Sequence, residues 1–138
     1  MPSLYTTTVH ATGEGRNGHV QSDCGTLDTD VRLPKALGGA GGATNPEMLF
    51  AAGYAACFHN ALRLVAGRDG VDATGSEVSA TVGLGPIGDG AFGLDVELDV
   101  SLPAVDRATA EAVVAKAHKV CPYSNATRGN IDVKLTVV

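Results

Sequence analysis

The chain has 138 residues, enough for one domain over 1–138 with a sizeable core and no need for disulfides or metals. Its net charge of −5 and its ten scattered Lys and Arg residues argue against a phosphate-backbone partner, so we expect no nucleic acid. Three cysteines, and an N-terminus without a basic segment before an apolar run, predict a cytoplasmic location with reactive or buried thiols.

The first third of the chain predicts three strands. The range 4–10 is rich in Thr and β-branched residues, which is typical of a strand. Asn17-Gly18 is a strong hairpin signal, so a second strand should follow it, with Arg16 at the tip. By composition alone, Arg16 is more simply a solvated turn charge. A third strand is expected over 27–33.

The most distinctive segment is the Ala-rich range 43–62, which predicts a long buried helix. Thr44 and Asn45 are capping residue types, and Pro46 suits the first helical position. The Gly-rich range 37–43 before it lacks the pattern of a phosphate-binding loop. Polar residues in the second half of the predicted helix argue against a membrane span. A helix this apolar needs more cover than one small sheet supplies, so we expect an intimate dimer.

The remainder of the chain predicts three strands and a second helix. Apolar and polar residues alternate over 78–84 and 92–100, as in two half-buried antiparallel strands. Asp106 is placed to cap a helix over 107–119, and alternation returns over 131–137 in a closing strand. The predicted class is therefore α+β, with antiparallel sheets packed on a long central helix plus a second helix.

Two cysteines lie in different, well-marked contexts. Cys57, in the middle of the apolar helix, can be a small buried hydrophobe or a nucleophile. Cys121 lies where Pro122 ends the second helix, and the negative end of a helix keeps a thiol protonated. Such a thiol reacts slowly with peroxide but can attack an oxidised sulfur nearby. Cys57 would need a cation to ionise, because burial alone keeps it a thiol.

The remaining candidate groups carry weaker signals. Cys24 is interpreted as incidental, near a strand or a turn. His59 is expected to be a packed or interface histidine, since it would point to a different helix face from Cys57. No Cys-x-x-Cys or His-x-x-x-His spacing supports a metal site, so none is predicted.

The segments 43–58 and 120–131, with Gly15-Arg16-Asn17-Gly18 upstream, resemble the organic hydroperoxide resistance proteins of the OsmC/Ohr family. The resemblance runs the length of the chain. It implies an OsmC/Ohr-like fold, an intertwined homodimer, and a thiol peroxidase that reduces organic hydroperoxides, including those of fatty acids, to alcohols. It also implies no bound cofactor or metal, and recycling by a lipoylated protein or dihydrolipoamide.

The resemblance also implies roles for four residues. Cys57 would be the peroxidatic cysteine and Cys121 the resolving one, while Arg16 would stabilise the Cys57 thiolate and Glu47 would orient Arg16. Glu47 and Cys57 lie ten residues apart, roughly 15 Å along a straight helix. Either the helix is interrupted or the Arg16–Glu47 pair serves Cys57 of the other subunit. We favour the second arrangement.

Substrate preference and two alternative functions complete the expectations. An apolar pocket is expected to bury the tail of an alkyl hydroperoxide. Its expected members are Met48, Leu49, Phe50 and Phe58. One alternative is an OsmC-type peroxidase of broader specificity. The other is a non-enzymatic dimer that senses thiol oxidation or binds a ligand, with a Cys57–Cys121 disulfide as its switch.

Overall fold

The computed structural model describes residues 1–138, and the chain divides into two compact units, Met1–Leu49 and Phe50–Val138. The first unit contains an antiparallel sheet in the order β1-β2-β3. Its strands are β1 (Val9–Glu14), β2 (Asn17–Ser22) and β3 (Asp28–Val31). A single 3₁₀ turn, Lys35–Leu37, follows the sheet.

The hairpin between β1 and β2 forms as predicted, but its turn residues differ. The turn consists of Gly15 and Arg16, and Gly15 has a φ of 67°, which favours glycine. Asn17 lies instead in β2, where its Oδ1 accepts the backbone N–H of Leu33 at 3.2 Å. The prediction of a strand over 4–10 is wrong for 4–8, because β2 ends opposite the start of β1 and leaves those residues without a partner strand.

The long helix α1 (Pro46–Asp69) is continuous, so an interruption between Glu47 and Cys57 is ruled out. Asn45 caps its start by accepting the backbone N–H of Met48 at 2.8 Å. One face of the helix is buried, as predicted, while the opposite face is exposed in the single chain. The buried residues are Tyr54, Phe58, Ala61, Leu62, Val65 and Ala66.

Helix α1 is long and apolar enough to cross a membrane by length and composition. Its buried face, however, belongs to a single hydrophobic core that also includes residues of the second sheet and of the second helix. A core helix can have the same length and composition, so these two properties alone are weak evidence of a membrane span.

The second unit contains a sheet in the order β4-β5-β6. Its strands are β4 (Glu77–Gly88), β5 (Ala91–Ser101) and β6 (Val133–Val137). The pair β4–β5 is antiparallel, as predicted, but β6 runs parallel to β5, so the expectation of purely antiparallel sheets is wrong. The chain between β5 and β6 passes through helices, and such a crossover returns the chain in the same direction.

Two helices form that crossover: α2 (Arg107–Val120) and α3 (Pro122–Thr127). Asp106 caps α2 as predicted, since its carboxylate accepts the backbone N–H of Thr109 at 2.8 Å. Pro122 ends α2, but the following residues form the short helix α3, where the sequence predicted a turn. Cys121 therefore lies at the junction between two helices.

Candidate active site

The sulfur atoms of Cys57 and Cys121 lie 3.6 Å apart, and both residues are free thiols. Cys57 comes from the middle of α1 and Cys121 from the α2–α3 junction. Cys121 is completely buried, whereas Cys57 is partly exposed. A disulfide has an S–S distance of about 2.05 Å, so oxidation of the two thiols to a disulfide would require only a modest approach of the sulfurs. The more accessible thiol is the one on α1.

The backbone of Cys121 is held from both sides. Its N–H donates to the carbonyl of Ala117 at 2.8 Å and closes the last turn of α2. Its carbonyl accepts the N–H of Asn125 at 3.0 Å and opens the first turn of α3. Pro122, which has no N–H to leave unpaired, suits the first position of α3. The resolving candidate thus has little backbone freedom.

The surroundings of Cys57 disfavour its thiolate. Burial raises the pKa of Cys57, and the adjacent Cys121 raises it further, while the backbone N–H of Tyr123 acts in the opposite direction. No cation of the second unit contributes to this pKa. His59 bonds to Ser76 Oγ at 2.9 Å through its Nε2, in agreement with a packed histidine. Within the second unit, the surroundings of Cys57 therefore favour the protonated thiol.

An aromatic cluster lies beside the two cysteines. The ring of Tyr123 packs 5.7 Å from that of Tyr54 and 6.4 Å from that of Phe50, measured between centroids. Gly53 makes this approach possible, because a Cβ there would lie 2.7 Å from Tyr123 Oη. Phe58 is completely buried in the core, so the prediction that it lines a substrate pocket is wrong.

The other two site candidates, Arg16 and Glu47, meet within the first unit. The Arg16 guanidinium donates two parallel hydrogen bonds to the Glu47 carboxylate, at 2.7 and 2.6 Å. Only 16% of the Glu47 side chain is exposed, against 36% of that of Arg16. The hydrogen bond from Arg16 lowers the pKa of Glu47, and the same bond raises the pKa of Arg16. Both side chains are charged, and the guanidinium is oriented by a bidentate contact.

Comparison with known proteins decides the family. The chain matches the family described as OsmC-like protein over residues 39–136. The chain belongs to this family. Among its relatives, an organic hydroperoxide resistance protein of Xanthomonas axonopodis pv. citri is 52% identical over 136 residues, which cover 97% of this chain and 94% of the relative. The organic hydroperoxide resistance protein OhrB of Bacillus subtilis is 48% identical and covers 96% and 97% of the two chains.

Solved structures of this OsmC-like family share the fold. An organic hydroperoxide resistance protein from Legionella pneumophila superposes with a TM-score of 0.95 at 51% identity, covering 99% of this chain and 98% of the other. The structure of OhrB of Bacillus subtilis gives a TM-score of 0.89 at 47% identity, covering 99% and 100%. The predicted α+β, OsmC/Ohr-like fold is therefore confirmed.

Several residues of the site were not predicted from the sequence. These are the Tyr54 hydroxyl, the Tyr123 backbone N–H, and the buried hydroxyls of Ser124 and Thr127. A tyrosine in an apolar helix gives no signal of its own, although a buried Tyr hydroxyl generally requires a partner. Cys24 is exposed, and its hydrogen bonds with Ser22 and Thr26 lower its pKa to about 7.

Proposed function

We propose that this protein is a cysteine-based peroxidase that reduces organic hydroperoxides to alcohols. The observation that carries the proposal is the 3.6 Å separation between a partly exposed and a completely buried thiol, Cys57 and Cys121. Two reduced thiols at this distance suit a cycle in which one is oxidised by substrate and the other resolves it. The names of the relatives support the substrate class.

The proposed reaction has three steps. The Cys57 thiolate attacks one peroxide oxygen, the O–O bond breaks, and the alkoxide takes up a proton and leaves as an alcohol, so that Cys57 becomes a sulfenic acid. Cys121 then attacks the Cys57 sulfur, a disulfide forms, and hydroxide leaves as water with the proton of the Cys121 thiol. A dithiol reduces this disulfide by two exchanges and is itself oxidised to a cyclic disulfide.

Arg16 is proposed to supply the cation that the Cys57 thiolate lacks within its own unit. An opposite charge nearby lowers the pKa of a thiol and can also stabilise negative charge developing on the peroxide oxygens. Glu47 is proposed to orient Arg16 through the bidentate contact. We propose that the pair serves Cys57 of the partner subunit, in a homodimer.

Exposed apolar side chains support the dimer. Ile87 and Phe92, beside the β4–β5 turn, are 71% and 70% exposed in the single chain, and Leu64 of α1 is 43% exposed. Burying such surface against a second copy removes it from water and stabilises the dimer by about 25 cal/mol per Å² of apolar surface.

A heterodimer tests whether the site is shared. One subunit carries Cys57→Ser and the other Arg16→Ala, so that neither variant homodimer has a complete site. A shared site predicts that about half of the wild-type activity returns, since one intact Cys57 then meets one intact Arg16. Activity that stays at the level of the two variant homodimers would assign the pair to Cys57 of its own chain.

We further propose dihydrolipoamide, free or on a lipoylated protein, as the reductant, and the reducing cytoplasm as the location. Turnover is measured with dihydrolipoamide as reductant and with either a fatty-acid hydroperoxide or hydrogen peroxide as substrate. We expect faster turnover with the fatty-acid hydroperoxide, because each methylene buried contributes about 0.8 kcal/mol to binding. Equal rates would favour a peroxidase of broader specificity, and no turnover with either would contradict an enzymatic role.

A further inference from the structure

A buried chain of hydrogen bonds links α1, which carries Cys57, to the two helices that flank Cys121. His118 Nδ1 lies 2.8 Å from Ser124 Oγ, and Ser124 Oγ lies 2.8 Å from Tyr54 Oη. Tyr54 Oη lies 3.2 Å from Thr127 Oγ1, which donates to the carbonyl of Ser124 at 3.2 Å. Tyr54 and Ser124 are completely buried. We call these four side chains the hydroxyl relay.

The donor and the acceptor of each hydrogen bond in the relay follow from counting protons. Each hydroxyl has one proton to donate. The Thr127 proton goes to the Ser124 carbonyl, so Tyr54 donates to Thr127, and Ser124 in turn donates to Tyr54. His118 must then donate to Ser124 from Nδ1. Every contact is satisfied in one arrangement only, and no buried side-chain polar atom lacks a partner.

The relay lies next to both sulfurs along the chain. Tyr54 precedes Cys57 by three residues in α1, and residues at this spacing share a helix face. Ser124 follows Cys121 by three residues, and His118 precedes it by three. Each of these three relay residues therefore lies within one helical turn of a cysteine.

A second brace holds the same junction from its exposed side. Arg128 donates to the carbonyl of His118 at 2.6 Å and to Asn125 Oδ1 at 2.6 Å. The first contact also satisfies one of the carbonyl groups that the end of α2 leaves unpaired. Arg128 is exposed, so this brace is the weaker of the two, whereas the buried relay cannot exchange its partners for water.

We propose that the hydroxyl relay is a positioning network that keeps Cys121 within reach of Cys57 and so sets the rate of disulfide formation. This role rests on the resolving function proposed above for Cys121. Fast resolution matters because a sulfenic acid that waits is oxidised further to sulfinic acid, which a thiol does not reverse. The four relay residues are thus positioning residues, because they act through Cys121 and touch no reacting atom.

The resolving step can be measured without any peroxide. A chromogenic aromatic disulfide reacts first with Cys57, in a background with Cys24→Ser, and releases one thiolate. Cys121 then attacks the Cys57 sulfur of the mixed disulfide, the S–S bond to the aromatic group breaks, and a second aromatic thiolate leaves together with the Cys121 proton. The first phase reports access to Cys57, and the second reports the approach of Cys121.

Tyr54→Phe removes the central hydroxyl and keeps the ring. We expect the second phase to slow about fivefold, which is what the loss of one hydrogen bond of typical net strength produces, while the first phase stays within twofold. Ser124→Ala should behave in the same way. His118→Asn, whose amide N–H can replace the Nδ1 donor, should retain the fast second phase, whereas His118→Leu should not. Tyr5→Phe, on an exposed tyrosine, is the matched control.

A second measurement exposes the variants to an excess of an alkyl hydroperoxide. Mass spectrometry should find about five times more sulfinic acid on Cys57 in Tyr54→Phe than in the wild type, at equal early extent of reaction. An unchanged second phase in both Tyr54→Phe and Ser124→Ala, or equal slowing of both phases, would overturn the positioning role. A slowed second phase in a protein that consumes no hydroperoxide would instead overturn the peroxidase function and leave the positioning role standing.

Discussion

The sulfur pair and the ion pair are built in different ways. Cys121 is completely buried and is fixed by backbone hydrogen bonds on both sides. The Arg16–Glu47 pair joins a two-residue hairpin turn to the first turn of α1, and more than a third of the Arg16 side chain is exposed. Changes at the sulfur pair should therefore affect stability and chemistry together, whereas changes at the ion pair should affect mainly ionisation.

The largest effect should come from Cys57. Cys57→Ser replaces the thiolate with a hydroxyl that does not ionise near neutral pH, so the consumption of hydroperoxide should fall to the uncatalysed rate. Cys24→Ser is the matched control, because Cys24 is exposed and belongs to the first unit. The assay follows loss of an alkyl hydroperoxide under excess dithiol. Retained activity in Cys57→Ser, or its loss in Cys24→Ser, would move the chemistry to Cys24.

The second effect concerns Arg16 and should depend on pH. Arg16→Ala removes the proposed cation, and an opposite charge typically shifts a pKa by about one to three units. The pKa of Cys57 in the dimer should rise by that amount, toward the raised value that burial imposes when no cation is nearby. Since the rate follows the thiolate fraction, it should fall about 10- to 1000-fold at neutral pH and recover as the pH rises.

Glu47→Gln is the companion variant to Arg16→Ala. It keeps the charge of Arg16 but removes the carboxylate that orients it, so a smaller loss is expected. Stopped-flow rates of Cys57 oxidation measured across pH separate the two variants. A uniform loss at every pH in Arg16→Ala would contradict a role in ionisation and would leave contact with the peroxide as the explanation.

Two glycines of α1 offer a comparison within one helix. A Cβ at Gly53 would lie 2.7 Å from Tyr123 Oη, whereas a Cβ at Gly67 would meet nothing within 4 Å. Gly67→Ala should stabilise the protein by about 0.5–1 kcal/mol, the usual helix preference of Ala over Gly. In Gly53→Ala, crowding against Tyr123 should cost about 1–3 kcal/mol of the free energy of unfolding and cancel that gain.

Urea denaturation measures the free energy of unfolding of both glycine variants. Because Tyr123 belongs to α3, Gly53→Ala should also slow disulfide formation between the two cysteines, while Gly67→Ala should not. Equal stabilisation by the two substitutions would show that the ring of Tyr123 moves freely and does not constrain the sulfur pair.

The smallest effect belongs to the sheet of the first unit. His19 in β2 bonds to Asp30 and Asp28 of β3, and the hydrogen bond to Asp30 is the main cause that raises the pKa of His19. The charged imidazolium should therefore support β2–β3 pairing below the unfolded pKa of about 6.5. That support is lost as the pH rises through the higher folded value.

Hydrogen exchange of the β2 and β3 amides measures this dependence, corrected for the intrinsic effect of pH. His19→Gln should abolish the additional opening above neutral pH without changing exchange in the second sheet. Because the histidine is at the surface, the change should be small. The same pH dependence in His19→Gln as in the wild type would assign it to other groups of the first unit.

Sequence patterns predicted local elements better than their assembly. Alternation located β4 and β5, and the Asp106 cap located α2, because both depend on near neighbours. The parallel pairing of β6 could not be predicted, since it depends on where the crossover returns the chain. Likewise, the Tyr54–Ser124 contact joins residues 70 positions apart, and no local pattern marks either hydroxyl.

The site was predicted through two kinds of signal. The apolar context of Cys57 and the helix end at Cys121 marked two thiols and suggested a pair, but only the resemblance to a family assigned their roles. It also connected Arg16 with Glu47, which lie 31 positions apart and form a bidentate contact in the structure. The surroundings of each thiol could not be predicted from the sequence. The burial of Cys57 and its contact with the backbone N–H of Tyr123 both depend on how the helices pack.

The central claim is that Cys57 reacts with hydroperoxide and Cys121 resolves it. The most direct test adds one equivalent of an alkyl hydroperoxide to the reduced protein and maps the products by mass spectrometry. The proposal predicts a Cys57–Cys121 disulfide in the wild type and, in Cys121→Ser, a sulfenic acid on Cys57, which a second equivalent of the hydroperoxide oxidises to sulfinic acid. An unmodified Cys57, or oxidation confined to Cys24, would contradict it.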